Sequence, residues 1–162
     1  DVEGIFIGNA CLVCPGSRIS AARKITIGDG TMLAAGAYVT DADWHGLYDR
    51  RSTGTADPVD IGENVWIGDN AIVTKGVTIG KNSIIGARSI VLHDIPDNVV
   101  AAGNPAQIIK ELDPDGPFFS RADWYADPVK LQADLEIIDR KLLRGNTFFQ
   151  WLRYVFFPRK GD

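Results

Sequence analysis

Few side chains in this sequence can take or return a proton near neutral pH. The 162-residue chain holds two histidines, His45 and His93, and histidine is the residue whose ordinary titration falls in that range. His45 lies in TDADWHGLYDRR, beside Trp44 and among Asp41, Asp43, Tyr48, Asp49, Arg50 and Arg51. An imidazole whose second nitrogen is held by a carboxylate or a backbone carbonyl is a general base, a role that contributes roughly 10²–10⁴-fold in rate. Asp43 is the candidate carboxylate. His93, in VLHDIP, is the rival candidate for that base. Cys11 and Cys14 form a C-x-x-C pair. A redox pair calls for a helix N-terminus, and zinc calls for two further ligands nearby. Both cysteines instead occupy positions of a repeat that require small residues, so they read as packing, and no metal is expected.

The element that must position these residues is a repeat of period six. Aliphatic residues recur at Ile7, Val13 and Ile19, then Ile27, Leu33 and Val39, then Ile61, Ile67, Val73, Ile79, Ile85 and Val91. The step from Ile19 to Ile27 is eight and that from Val39 to Ile61 is twenty-two. The next residue is small in most copies: Gly8, Cys14, Gly28, Ala34, Gly62, Gly68, Gly80, Gly86. Four places after the aliphatic residue stands another small or β-branched one, such as Thr31, Ala37, Val65, Ala71, Ser83 or Ser89. Period six fits neither the 3.6 of a helix nor the two of a simple strand. It predicts an all-β solenoid in which each hexapeptide is a short strand and a turn, and three hexapeptides close one triangular coil. Aliphatic side chains then stack along the axis, and the small residues fill the tight interior or corners where glycine tolerates positive φ. A β-sandwich does not keep a strict six-residue beat over this many copies. A thin prism of this kind buries little core alone, so association of copies is expected.

Two segments leave the beat. Residues 40–58 are nineteen residues without hexapeptide spacing, and a loop of that length inserted in a compact domain is usually functional. This insertion carries His45. The period stops after Leu112, which divides the chain into a β domain, 1–112, and a C-terminal helical extension, 113–162. In the extension Leu131, Leu135, Ile138 and Leu142 step by four, three and four, one face of a helix. Asp127 is its predicted N-cap with Pro128 in the first turn, and Gly145 its stop. The last stretch, FFQWLRYVFFPRKGD, reads as a second helix packed on the β domain or on a neighbouring copy. A membrane-surface foot is the sharper reading of aromatics ending in Arg159 and Lys160. The charge of the extension, 8 basic and 8 acidic side chains, argues against it.

Composition excludes several classes. Apolar residues are 45% and charged residues 23% of the chain, as in soluble globular domains rather than disordered ones. No apolar run reaches the roughly 18 residues of a membrane span. A net charge of −4 argues against a nucleic-acid groove. The sequence opens at Asp1 without a basic, apolar leader, so no signal peptide is expected, and two cysteines point to a reducing, cytoplasmic setting.

The stretch ITIGDG…VDIGENVWIGDNAIVTKGVTIGKNSIIGARSIVLHDIPDNVVAAGNPAQIIKEL resembles the hexapeptide-repeat acyltransferases, and among them the galactoside and maltose O-acetyltransferase branch. The resemblance covers about residues 5–112 and is most specific over 59–112. It implies a left-handed parallel β-helix, a homotrimer with active sites between subunits, and acetyl-CoA as co-substrate. It places His45 where that branch carries its catalytic base. Trp66, Gly68 and Asp69 in VWIGDN, and Ala87 in IIGARS, match positions that line the coenzyme groove. Lys110 replaces an Arg that meets the coenzyme phosphates, which keeps the charge and loses the bidentate fork. Leu92, His93 and Gln107 stand where the branch has Thr, Lys and Arg, a weaker phosphate grip. On the acceptor side Asp43, Trp44 and Tyr48 surround His45 in sequence, with DWHG replacing the branch's Gly-His-Pro setting. Cys14 and Ala22 replace a polar Asn and Asp that face the sugar, so a plain galactoside or maltose acceptor is not expected. The fold's metal-dependent γ-class carbonic anhydrases need three histidines per metal, and this chain has two.

The resemblance therefore implies an acetyl-CoA-dependent O-acetyltransferase acting on a sugar or glycan hydroxyl. N-acetylation of an amino sugar or other amine uses the same base and coenzyme. A catalytically silent trimeric scaffold, docking through its C-terminal helices, is the reading from a different class.

Overall fold

The computed structural model describes residues 2–158. Its N-terminal part is a three-sided solenoid. The first coil is β1 (Gly4–Ile7), β2 (Leu12–Val13) and β3 (Arg18–Ser20), and the second is β4 (Lys24–Ile27), β5 (Met32–Leu33) and β6 (Tyr38–Thr40). The third is β7 (Val59–Ile61), β8 (Trp66–Ile67) and β9 (Ile72–Val73), and the fourth β10 (Thr78–Ile79), β11 (Ile84–Ile85) and β12 (Ile90–Val91). β13 (Val99–Gly103) and β14 (Ala106–Glu111) close the stack. Equivalent strands pair in parallel, giving a first face β1-β4-β7-β10, a second face β2-β5-β8-β11-β13-β14 and a third face β3-β6-β9-β12. Among the described strands of these faces, the final pair, β13 and β14, is antiparallel.

The six-residue beat accounts for the core. Ile27, Leu33, Val39, Ile61, Ile67, Val73, Ile79, Ile85 and Val91 are fully or almost fully buried, stacked coil on coil. The positions four further on, Thr31, Ala37, Val65, Ala71, Val77, Ser83 and Ser89, are buried as well. Buried hydroxyls there are satisfied by backbone: Thr31 Oγ1 donates to Gly62 O at 2.8 Å, and Ser83 Oγ to Pro96 O at 2.7 Å. Ile7 and Val13 keep the beat but are about half exposed, because no coil of the described residues stacks beneath them.

The structure corrects one expectation about the corners. The small residue after each aliphatic does not take positive φ. That conformation falls two residues later, at Ala10, Asn64, Asn70, Asn82, Arg88 and Asn98 among others. Asparagine tolerates it through local hydrogen bonding, and three of these residues form a ladder along one edge: Asn64 Nδ2 donates to Asn82 Oδ1, and Asn82 Nδ2 to Asn98 Oδ1, each at 3.0 Å. The small residue has a different cause, the close approach of the next coil. A Cβ on Gly68 would stand 2.6 Å from both Ala87 N and Ile85 O. Gly68→Ala is therefore expected to lose about 1–3 kcal/mol by forcing two coils apart. Ala10→Gly, which relieves a left-handed alanine at φ 53°, is expected to gain up to about 1 kcal/mol. Urea unfolding of the two variants beside the parent checks both signs.

The chain divides into two compact units, 1–123 and 124–162. Helix α1 (Arg121–Ala126) spans the division, and α2 (Pro128–Leu142) and α3 (Phe148–Phe156) lie beyond it. α2 starts as its sequence predicts, with the Asp127 carboxylate accepting from Lys130 N at 3.0 Å and Pro128 in the first turn. Thr147 caps α3 in the same way through Gln150 N at 3.1 Å. The predicted basic pair Arg159 and Lys160 lies outside the described residues.

Candidate functional site

The insertion between β6 and β7 is an ordered excursion held at its base by one buried carboxylate. Asp41 is fully buried, and its side chain accepts from Ala22 N at 2.6 Å and from Arg23 N and Lys24 N at 2.7 Å each. Those three N–H groups converge because of the eight-residue step between Ile19 and Ile27: two extra residues open the corner between β3 and β4 and turn its amides toward one point. Above Asp41 the excursion runs as an antiparallel pair. Ala42 bridges Ala56, Asp57 N donates to Asp41 O at 2.9 Å, and Asp43 N donates to Thr55 O at 2.9 Å. At its tip Gly46 N donates to Ser52 O at 3.0 Å.

His45 sits in this tip with one ring nitrogen engaged. Its Nδ1 lies 3.0 Å from Arg50 O. A carbonyl oxygen only accepts, so this bond requires the proton on Nδ1, and in the neutral ring the lone pair is then the one on Nε2. Arg50 is itself fixed from the other side, with Nη1 donating to Gly46 O at 2.6 Å. The orienting group is thus a backbone carbonyl rather than Asp43. The Asp43 carboxylate is taken up elsewhere, in an ion pair with Lys75 Nζ at 2.8 Å and a bond from Thr55 Oγ1 at 3.3 Å. The Lys75 hydrogen bond holds its pKa below the usual carboxylate value. Asp43 therefore anchors the excursion to the third coil.

A cavity of about 290 Å³ opens at His45, lined also by Asp43, Gly46, Tyr48, Thr53 and Thr55. Of the predicted acceptor residues it gathers Asp43 and Tyr48 around His45. Trp44 turns toward β6 instead, its Nε1 donating to Thr40 Oγ1 at 3.2 Å. There it meets a cluster that no sequence pattern marks. The Arg18 guanidinium stacks over the Tyr38 ring at 3.7 Å. Burial opposes ionisation of the Tyr38 phenol, but hydrogen bonds with Thr40, Trp44, Ser20 and Arg18 outweigh it and hold its pKa below the ordinary tyrosine value. Arg18 and Tyr38 are twenty residues apart and meet because Arg18 pairs Tyr38, and Ser20 pairs Thr40, in the β3–β6 register. The only signal in the sequence is the beat that sets this register.

The predicted coenzyme residues occupy other parts of the prism. Trp66 lies on the second face, 46% exposed, in a cross-strand row Leu12–Met32–Trp66–Ile84–Val100–Lys110. Gly68, Asp69 and Ala87 lie in the turns after β8 and β11, on the edge between the second and third faces. Gln107 pairs Ala102 beside that edge. Cys14, whose N donates to Leu33 O at 2.9 Å, belongs to this edge too and not to the His45 cavity. Leu92 and His93 follow β12 on the edge between the third and first faces, the edge from which the His45 excursion departs. Within one chain the whole third face thus separates His45 from Trp66, Gly68, Asp69 and Ala87. Among the described residues no group of three or more His, Cys, Asp or Glu side chains gathers as a metal site.

Comparison with known proteins places this architecture. The family described as "Bacterial transferase hexapeptide (six repeats)" matches residues 58–93. The galactoside O-acetyltransferase of Escherichia coli (strain K12) is 44% identical over 90 residues, which is 54% of this chain and 44% of that protein. The chain spans about half the length of the curated relatives it matches. A galactoside acetyltransferase solved in complex with coenzyme A superposes with a TM-score of 0.55 at 30% identity, covering 72% of this chain and 69% of that one. The polySia specific acetyltransferase NeuO superposes with a TM-score of 0.59 at 27% identity, covering 82% and 63%. With its three-sided coils, its hexapeptide beat and these matches, the chain belongs to the hexapeptide-repeat acyltransferases and builds their left-handed parallel β-helix.

Proposed function

We propose that the chain carries an acetyl-CoA-dependent O-acetyltransferase whose general base is His45 and whose acceptor is a sugar or glycan hydroxyl. The observation that carries this reading is the bond between His45 Nδ1 and Arg50 O, beside a cavity that His45 lines; in the neutral ring this bond places the lone pair on Nε2. That nitrogen takes the acceptor's hydroxyl proton as its oxygen attacks the thioester carbonyl carbon. The tetrahedral intermediate then expels the coenzyme thiolate, and the imidazolium returns the proton to sulfur. No covalent enzyme intermediate is needed, and the Arg50 carbonyl keeps the ring in one tautomer throughout.

Acetyl-CoA enters as a substrate. Trp66, Gly68, Asp69 and Ala87 offer it a half-exposed ring and a turn with little side-chain bulk, and Lys110 ends the Trp66 row with a cation for its phosphates. Leu92, His93 and Gln107 supply less charge. Because His45 stands on a different edge from Trp66 and Ala87, the reading requires two copies, one providing the coenzyme edge and the next providing His45. A homotrimer of three-sided prisms brings such edges together. The acceptor lies against Asp43 and Tyr48, with Cys14 on the coenzyme edge in place of a polar sugar contact. The acetyltransferases named for galactoside and polySia support a glycan acceptor. Both cysteines are free, which fits a reducing cytoplasmic setting.

The test is thiol release from acetyl-CoA with a panel of sugars, glycans and amines, run with coenzyme A binding by calorimetry. Turnover confined to hydroxyl acceptors supports the reading. Turnover confined to amines replaces it with N-acetylation. Failure to bind coenzyme A replaces it with the scaffold.

A further inference from the structure

The C-terminal helix α3 presents an aromatic face whose rings are largely exposed. Projected at 100° per residue, Phe148, Phe149, Trp151, Leu152, Val155 and Phe156 fall on one side of Phe148–Phe156, and Gln150, Arg153 and Tyr154 on the other. Phe149 is 80% and Phe156 67% exposed, and Phe148, Trp151 and Val155 are more than half exposed. Gln150 Nε2 donates to Tyr154 Oη at 3.3 Å, and the Arg153 guanidinium lies 4.2 Å from the Tyr154 ring centre, so the polar side is internally tied.

The charge around this helix is segregated. The 8 basic and 8 acidic residues of 113–162 cancel only in sum. From 113 to 139 there are seven acidic residues against Arg121 and Lys130. From 140 to 161 there are six basic residues, Arg140, Lys141, Arg144, Arg153, Arg159 and Lys160, and no acidic one. Arg140 is paired back to Glu136 at 3.4 Å. A second copy of the same segment would meet this cationic stretch with like charge, whereas an anionic lipid surface meets it with the opposite one. At nine residues the helix is roughly 14 Å long, and no helix among the described residues is long and apolar enough to cross a membrane. An aromatic face of that size suits lying in the interface plane.

We propose that α3 docks flat on an anionic lipid surface, its aromatic face in the headgroup–acyl boundary and the flanking lysine and arginines on the headgroups. This surface is independent of the acyl-transfer reading and stands if that reading fails.

The experiment is co-sedimentation of the full chain with vesicles of phosphatidylcholine alone or mixed with phosphatidylglycerol, at low and high salt. Binding is expected to the mixed vesicles and to fall steeply with salt. Lys141→Gln/Arg144→Gln is expected to weaken it by roughly 25-fold, taking about fivefold for each charge near the surface. Phe149→Glu/Phe156→Glu is expected to abolish it, with helical circular dichroism and solution mass unchanged. Three results would overturn the proposal: no sedimentation with mixed vesicles, equal binding to neutral vesicles with the Lys141/Arg144 variant unaffected, or a changed oligomeric mass in the Phe149/Phe156 variant. The last would assign the face to a second copy.

Discussion

Replacing His45 by alanine is expected to lower kcat for acetyl transfer by roughly 10²–10⁴-fold and to leave the Kd for coenzyme A within about twofold. The separation follows from the excursion of His45 leaving the edge between the third and first faces, away from Trp66 on the second face and the Ala87 turn beside it. Its loss removes the proton acceptor and no coenzyme contact of its own edge except through the neighbouring Leu92 and His93. His93→Ala is the matched comparison and is expected to keep most of kcat, with its effect confined to KM for acetyl-CoA. Stopped-time thiol release on both variants reads the two parameters. A His45→Ala enzyme that retains its rate would return the base to His93. Arg50 acts through its main chain and through the Nη1 bond to Gly46 O, so Arg50→Ala is expected to produce a smaller loss, by loosening the ring rather than removing it.

Asp41→Ala is the substitution expected to cost the fold most, about 3–5 kcal/mol. The carboxylate is fully buried and satisfies three amides of residues 22, 23 and 24. Alanine removes the shared acceptor of three part-buried N–H groups at once, and each donor left unsatisfied costs about 1–3 kcal/mol where water does not reach it. Asp41→Asn restores the size and one accepting oxygen, so its loss should be about half as large. The effect is not confined to stability. Asp41 O also receives Asp57 N at 2.9 Å, which ties together the two ends of the excursion that carries His45. The activity of Asp41→Asn at a temperature where it remains folded is therefore expected to fall along with its unfolding midpoint. Chemical denaturation followed by circular dichroism measures the first quantity, and thiol release the second.

Asp41 also shows where a reading of the sequence stops. It lies in the insertion beside Asp43, and a linear reading offers both as carboxylates near a histidine. The distinction is made by the eight-residue step between Ile19 and Ile27, twenty residues earlier, whose extra two residues build the amide corner that Asp41 fills. Asp43, the linear candidate for orienting His45, is drawn away by Lys75 of the next coil, and the Arg50 carbonyl takes its place. The Arg18–Tyr38–Trp44 cluster is invisible for the same reason, since its members are neighbours in register and not in sequence. The corners divide likewise: the sequence offered two causes for its small residues, tight packing and positive φ, and the structure decides for the approach of a backbone one coil away, as at Gly68.

By itself the sequence determined the solenoid, the buried stack from Ile27 to Val91, the excursion at 40–58, the capped helix from Pro128, and the pairing of one histidine with that excursion. These are legible because each hexapeptide obeys the same local rule, and a rule repeated many times is read against its own copies. The tertiary structure alone decided which nitrogen of His45 is free, what holds its ring, and that His45 and the Trp66–Ala87 turns stand on different edges of one prism. The first two depend on how the excursion folds back on itself, so that the Arg50 carbonyl meets His45 Nδ1 five residues away; the third depends on coiling, since nothing in a linear spacing states which side of a three-sided coil a residue faces until the coils are closed.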